Sequence, residues 1–246
     1  MTIYLCHEQP GLLSHDAEVV ASRPGAVVLS RSAFHPGGGG QLGDRGSIGW
    51  TGGVAGVTGI ELDGDVWWHL LDRDVELHGP VDVRVDAEHR HRVAALHTMS
   101  HVLNAFVFAE FAGALVTGAQ INGDGTARMD FDLPEVDNDR VRALEVPVND
   151  TIRRGLEVRA VYVDVSDAAA VAGLVRSMSV APPPTPDGRL RVIDIEGLDR
   201  QACGGNRESV TKFHGTFPFG SEDLFSNSSR SRICSSSSAR TSVSGT

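Results

Sequence analysis

The sequence predicts a chain of the α+β class: a small β-barrel or sandwich first, a mixed domain of helices and strands second, and a tail without regular structure last. Three observations predict it. Residues 1–88 hold short β-rich runs divided by Gly, Pro or Asp, the pattern of a small all-β domain. Near Glu88 the pattern changes to one of helical length, followed by alternating strand-like and helix-like segments. From Thr216 to Thr246, 11 of 31 residues are serine, and apolar positions are too few to offset the entropy of ordering. The expected boundaries are therefore 1–88, 89–215 and 216–246, the last of these disordered.

In the first segment the runs IYLC, AVVLS, GSIGW, GVTGIEL, DVWWHLL and PVDVRVD read as strands. The stretch AFHPGGGGQLGDRG, Ala33 to Gly46, cannot be regular structure. Its four consecutive glycines, Gly37 to Gly40, give a backbone able to approach a ligand closely. From His89 to Gly113 the spacing predicts a helix with an apolar stripe of Val93, Leu96, Leu103, Phe106 and Val107, stopped by Gly113. TARMDFDL reads as a strand and Val136 to Glu145 as a second helix, with Pro147 breaking the pattern before NDTIRRGLEV. VRAVYVDV reads as a strand, SDAAAVAGL as a short helix, and RLRVIDIEG as a strand running towards Cys203.

Composition sets limits on function. Apolar residues at 41% and charged residues at 22% describe a soluble globular protein. A net charge of −10 argues against a general nucleic-acid coat, so any RNA partner needs a local basic surface. Candidates are His89 to Arg92, Arg153 with Arg154, and Arg189 with Arg191, each equally readable as solvated surface charge. Cys6, Cys203 and Cys234 are too few and scattered for a disulfide framework, and no cationic leader or apolar span is evident. A reducing cytoplasm and no membrane or disulfide partner are the expectation; oligomeric state is not legible. The four-glycine run lacks the GK[ST] ending and the GxGxxG spacing of nucleotide loops, and 246 residues are expected to be too few for a whole synthetase.

The chemistry-bearing residues are His97 and His101 in LHTMSHVLNA, and Cys203 in DRQACGGNRE. Residues four apart share one face of a helix, so two imidazoles can grip one metal ion, and a thiolate can supply a third ligand. Thr98 and Asn104 extend this into a polar strip on an apolar helix. A buried helix with two histidines must give them partners, and structural histidines are the ordinary alternative to ligands. Cys203 read alone is a small buried hydrophobe; Gly204 and Gly205 after it permit a tight turn that aims backbone N–H groups at a ligand.

The set AFHPGGGGQLGD, DAEHRHRVAALHTMSHVLNA and IDIEGLDRQACGG, in this order and spacing, resembles the freestanding alanyl-tRNA editing proteins, relatives of the editing domain of alanyl-tRNA synthetase and more distantly of the threonyl enzyme's. The resemblance runs from near the N-terminus to about Gly205. It implies a small β-barrel joined to an α+β editing domain, a zinc ion, and cytoplasmic trans-editing: hydrolysis of the ester that joins serine wrongly to the tRNA for alanine. By the same resemblance His97, His101 and Cys203 are zinc ligands, and Gln41 faces the aminoacyl group. Gly204 and Gly205 line the wall beside it, while His35, Gly38, Gly39 and Gly40 offer substrate contacts. From the residues alone, Gln41 is a loop residue capping its own turn and His35 a turn residue.

One departure bears on activity. Where the family has CGGTH, this chain has CGGNR, so Arg207 occupies the fourth ligand position. A guanidinium stays protonated and offers no lone pair to a metal. His214, eleven residues after Cys203, is a possible replacement ligand. The closing basic strands of the family are also replaced by the serine-rich tail, as a shifted reading frame from about Asn206 would produce. Three readings follow: a zinc-dependent aminoacyl-tRNA hydrolase serving translation fidelity, a metal-deficient relative that binds tRNA without turnover, and a protein using zinc only to hold its fold.

Overall fold

The computed structural model describes residues 2–133, 137–171, 173–177, 188–203 and 231–236; the side chains of residues 7, 168–170 and 231–236 lie outside that description. Two compact units emerge, Met1–Ala94 and a second that begins at Ala95, and each has its own core.

The first unit contains β1 (Ile3–Tyr4), α1 (Leu5–Glu8), β2 (Ser14–Arg23), β3 (Ala26–Leu29), β4 (Arg31–Ser32), β5 (Gly46–Trp50), β6 (Gly53–Asp63), β7 (Val66–Leu71) and β8 (Gly79–Val85). Six of these strands close a barrel in the order β2-β3-β7-β6-β5-β8, which decides between the barrel and the sandwich. Alternation fills it. In β8, Val81, Val83 and Val85 point inward while Asp82 and Arg84 point out. Ile48 of β5 stands opposite both Ala55 and Val83, and all three are buried. Each such aliphatic side chain contributes at most about 1.5–3 kcal/mol relative to exposure.

Closure depends on a strand the sequence reading passed over. The ten-residue β2 pairs with β8 on one side and β3 on the other. The run read as IYLC is also shorter than expected, because Leu5 and Cys6 belong to α1.

Helix α2 (Ala87–Glu110) begins in the first unit and ends in the second, which goes on through β9 (Leu115–Ile121), β10 (Thr126–Asp132), α3 (Asn138–Ala143), α4 (Glu145–Arg154), β11 (Val158–Asp164), α5 (Val165–Ala170), β12 (Arg189–Ile195), β13 (Asp199–Ala202) and β14 (Ser231–Ser236). Asp86 starts α2, its carboxylate accepting from the His89 N–H at 3.0 Å. The helix ends where Ala112 and Gly113 turn left-handed and the Gly113 N–H reaches the Phe108 carbonyl at 2.9 Å. Leu96, Leu103 and Val107 of α2 pack with Phe131, Val148 and Ile193 in the core.

The expected second helix is in fact two. Asp137 caps α3, and Pro147 falls in the first turn of α4 instead of breaking it. Proline is tolerated there because the first-turn N–H groups have no partner within the helix. Two three-stranded sheets, β14-β10-β9 and β11-β12-β13, complete the unit. Within the serine-rich segment, Ser231–Ser236 forms a strand antiparallel to β10. The rest of 216–246, to which the reading of a disordered tail applied, lies outside the described residues. No helix among those described is long and apolar enough to cross a membrane, and no disulfide joins Cys6 or Cys203.

Candidate metal centre

Helix α2 places His97 and His101 one turn apart, their rings 5.5 Å between centroids. Cys203 arrives directly after β13, and the ligand atoms of all three residues lie within 4.8 Å of one another. The Cys203 Sγ to His97 Nε2 separation is 3.6 Å. Zinc bonds of ~2.0–2.3 Å at a tetrahedral angle put two ligand atoms about 3.6 Å apart, so this edge has the length a metal requires. His97 is 7% exposed, and an imidazole pair beside a thiol is a donor set suited to zinc. The donor chemistry and spacing therefore fit the ion.

The backbone of Cys203 is held from β12. Its N–H donates to the Arg191 carbonyl at 3.1 Å, and its own carbonyl accepts from the Arg191 guanidinium at 3.1 Å. Arg191 is thus buried in service of the strand end, not a surface point for RNA. Strand alternation sends Ala202 to the small cluster of Leu174, Leu190 and Val192 on the opposite face from Gln201 and Cys203.

Gln201, which the sequence reading did not single out, lies 3% exposed beneath the centre. Its side-chain N–H₂ donates to the His101 carbonyl at 3.0 Å and to Asp199, and its oxygen accepts from Asn104 at 2.8 Å. Asp199 in turn holds Arg176 through bonds of 2.6 and 2.9 Å. A small, mostly apolar pocket in the same unit is lined by Thr98, Met99, Val102, Thr151 and Ile195 among others. None of the three ligand candidates forms its wall, and Thr98 belongs to this apolar side of the helix.

In the first unit, the glycine-rich loop is a built object. Gly37, Gly38, Gly39 and Gly40 all have positive φ, from 59° to 108°. Gly38 and Gln41 exchange two backbone hydrogen bonds of 3.0 Å around Gly39 and Gly40, whose positive φ suits a two-residue reversal. His35 is 3% and Gln41 7% exposed. His35 Nδ1 accepts from the Gly37 N–H at 3.0 Å and lies 3.5 Å from Gln41 Nε2. The loop is fastened by Asp44, which accepts from the His35 N–H and pairs with Arg90. Arg90 is 2% exposed and donates also to the carbonyls of Pro10, Leu12 and Ala33. His89 adds a 2.9 Å contact to the Gly43 carbonyl. Two members of the expected basic patch at 89–92 are therefore internal fasteners.

The structure brings together His97, His101 and Cys203, and separately His35 with Gln41. Gly204, Gly205, Arg207 and His214 lie outside the described residues.

A closed barrel followed by an α+β unit that gathers two imidazoles and a thiol defines a two-unit protein with a candidate transition-metal centre. Over 202 residues the chain is 30% identical to the alanyl-tRNA editing protein AlaX-M of Saccharolobus solfataricus, a match covering 80% of this chain and 83% of that one. It is 31% identical to alanine–tRNA ligases of Korarchaeum cryptofilum over 206 residues and of Ignicoccus hospitalis over 209, in each case 23% of the ligase. The chain belongs to the alanyl-tRNA editing family. It spans about a quarter of the length of the ligases it matches. No protein-family model matches the sequence.

Proposed function

We propose that this chain is a zinc-dependent hydrolase that removes serine from the tRNA for alanine. The observation that carries the reading is the convergence of His97, His101 and Cys203 in a member of the alanyl-tRNA editing family. In the reaction a water oxygen bonds to the ester carbonyl carbon, and the bond from that carbon to the ribose oxygen breaks. The ribose oxygen takes one proton of the water, the other passes to solvent, and free serine leaves with its carboxylate. Zinc, when bound, would supply Lewis acidity towards the carbonyl or towards water, or grip the amino and hydroxyl groups of the serine.

The chain's own part is placement. Helix α2 holds two imidazoles on one buried face, and β13 delivers the thiol to them. Burial excludes bulk water and strengthens polar contacts to a substrate. Gln41, His35 and Gly38 to Gly40 belong to this reading as substrate contacts through family resemblance, with Gly204 and Gly205 beside the reacting ester. A pocket that hydrogen-bonds the serine hydroxyl would reject alanine, because the unmatched polar group is costly. The same reading takes 1–88 as the barrel domain, 89–215 as the editing domain, and the cytoplasm as the place of action.

A second reading is favoured by one observation: Arg207 stands where the family has histidine. On it the chain binds tRNA with little metal and little turnover. Zinc content of the purified chain, measured with deacylation of serine-charged tRNA for alanine, separates the two. Stoichiometric zinc with turnover establishes the hydrolase; absence of both, with recovery in Arg207→His, establishes the metal-deficient relative.

A further inference from the structure

Taking the metal reading as its basis, we infer that Gln201, with Asn104, is a positioning brace that sets the reach between Cys203 and the two histidines and so governs metal affinity. Cys203 follows β13 on the same face as Gln201, whereas His97, His101 and Asn104 lie along one stripe of α2. These two elements are far apart in the chain, and the separation of Sγ from the imidazoles depends on what locks strand to helix. Gln201 does so at the ligand residue itself, since its N–H₂ donates to the carbonyl of His101. Asn104, one turn beyond His101, donates to the Gln201 oxygen from the other direction.

The amide orientation is fixed by its partners. Asp199 and the His101 carbonyl both accept, so the nitrogen of Gln201 must face them and its oxygen must face Asn104. The far end is equally secured, because Asp199 is held by Arg176, whose guanidinium also lies over the Phe108 ring at 3.9 Å. Gln201, Asn104 and the Asp199–Arg176 pair are all nine-tenths or more buried, so the brace is rigid and shielded from competing water. Partners of this kind commonly change metal affinity ~10–100-fold when removed, because they orient the ligands without touching the ion.

The test is titration of the metal-stripped chain with Co(II), following the thiolate-to-cobalt charge-transfer band, and zinc competition against a chelator. Gln201→Met keeps length and burial but removes all three hydrogen bonds. Wild type should show the thiolate band at one equivalent, and Gln201→Met should bind about 10–100-fold more weakly with a diminished band. Asn104→Leu should shift affinity in the same direction, and the double variant should be no weaker than Gln201→Met, since both remove one brace. Thermal unfolding of the metal-free proteins reports structural cost separately; the brace predicts an affinity loss that persists well below the unfolding temperature. Should Gln201→Met fail to fold, Asn104→Leu carries the test, because it leaves the strand's bonds to His101 and Asp199 in place. Wild-type affinity and spectrum in the variants overturn the brace alone. A wild-type chain that takes up no cobalt overturns the metal reading and the brace with it.

Discussion

The barrel should lose stability in acid through one buried histidine, His69. It is fully buried, with Nδ1 3.2 Å from the Val27 carbonyl and Nε2 2.7 Å from the Ser32 hydroxyl. The carbonyl can only accept, so Nδ1 carries the hydrogen and Nε2 accepts from Ser32. Burial pushes the imidazole down from 6.5 to about 4, with the Val27 carbonyl pulling the other way and the charge of His15 lowering it further. A base whose folded pKa is depressed takes up more protons in the unfolded chain, so stability rises with pH across the interval between the two values. This contribution is complete above pH 6.5 and is lost as pH falls towards 4. At pH 5 the loss comes to about 2 kcal/mol, and over the whole interval to about 3 kcal/mol. All three tryptophans, Trp50, Trp67 and Trp68, belong to the barrel unit, so their fluorescence in a urea titration follows that unit. Comparing His69→Gln with wild type at pH 7.5 and pH 5 cancels the other titrating groups. The wild type should lose about 2 kcal/mol more than the variant; equal losses would refute the argument.

Other perturbations read out different parts of the molecule. A Cβ at Gly46 would sit 2.0 Å from the Arg84 carbonyl oxygen where β5 meets β8, so Gly46→Ala should cost the barrel about 3 kcal/mol in the same fluorescence titration. Arg90→Met leaves the Asp44 carboxylate buried and unpaired and should cost about 3–5 kcal/mol, while adding Asp44→Leu should recover part of that loss. Gly37 has φ 90° and would bring a Cβ within 2.8 Å of the Gly43 nitrogen, whereas Gly39 has open space around it. Gly37→Ala should therefore cut deacylation roughly tenfold or more, whereas Gly39→Ala should cost the unit only about 1 kcal/mol of left-handed strain in the urea titration. Cys203→Ala should abolish the thiolate-to-cobalt band and release stoichiometric zinc under mild chelation.

What the sequence disclosed follows from what is local. His97 and His101 were legible because a helical repeat puts them on one face, and the four glycines because no regular element accommodates them. The strand β2 was missed because His15, Asp16 and Glu18 interrupt the apolar alternation that marks a strand, although its neighbours β3 and β8 supply its pairing. Pro147 misled because its effect depends on whether it falls in the first turn, and that boundary is set by packing of α4. Gln201 and Asn104 are 97 residues apart, and Arg90 and Asp44 are 46 apart. Nothing in either neighbourhood announces such a pairing. The run at 89–92 looked like a cationic surface because a buried arginine and a solvated one are written with the same letter; the Asp44 carboxylate and the carbonyls of Pro10, Leu12 and Ala33 distinguish them.

The centre is best judged by the three donors that the described residues supply. Zinc held by one thiolate and two neutral imidazoles would carry a net charge of about +1, and catalytic zinc sites use three protein ligands and leave the fourth position to water or substrate. Closed sets of four are the pattern of zinc that only supports a fold. On the proposed zinc reading, arginine at position 207 would offer the ion no lone pair. It does not remove the three-donor geometry that His97, His101 and Cys203 already present. With three donors, a bound metal would depend heavily on how rigidly they are held. That places the burden on Gln201, Asn104 and Arg191, the residues that fasten the strand end to the helix and to β12. Arg207→His should accordingly raise zinc affinity in wild type and should rescue Gln201→Met only in part, since a fourth donor adds binding without restoring the reach between thiol and helix.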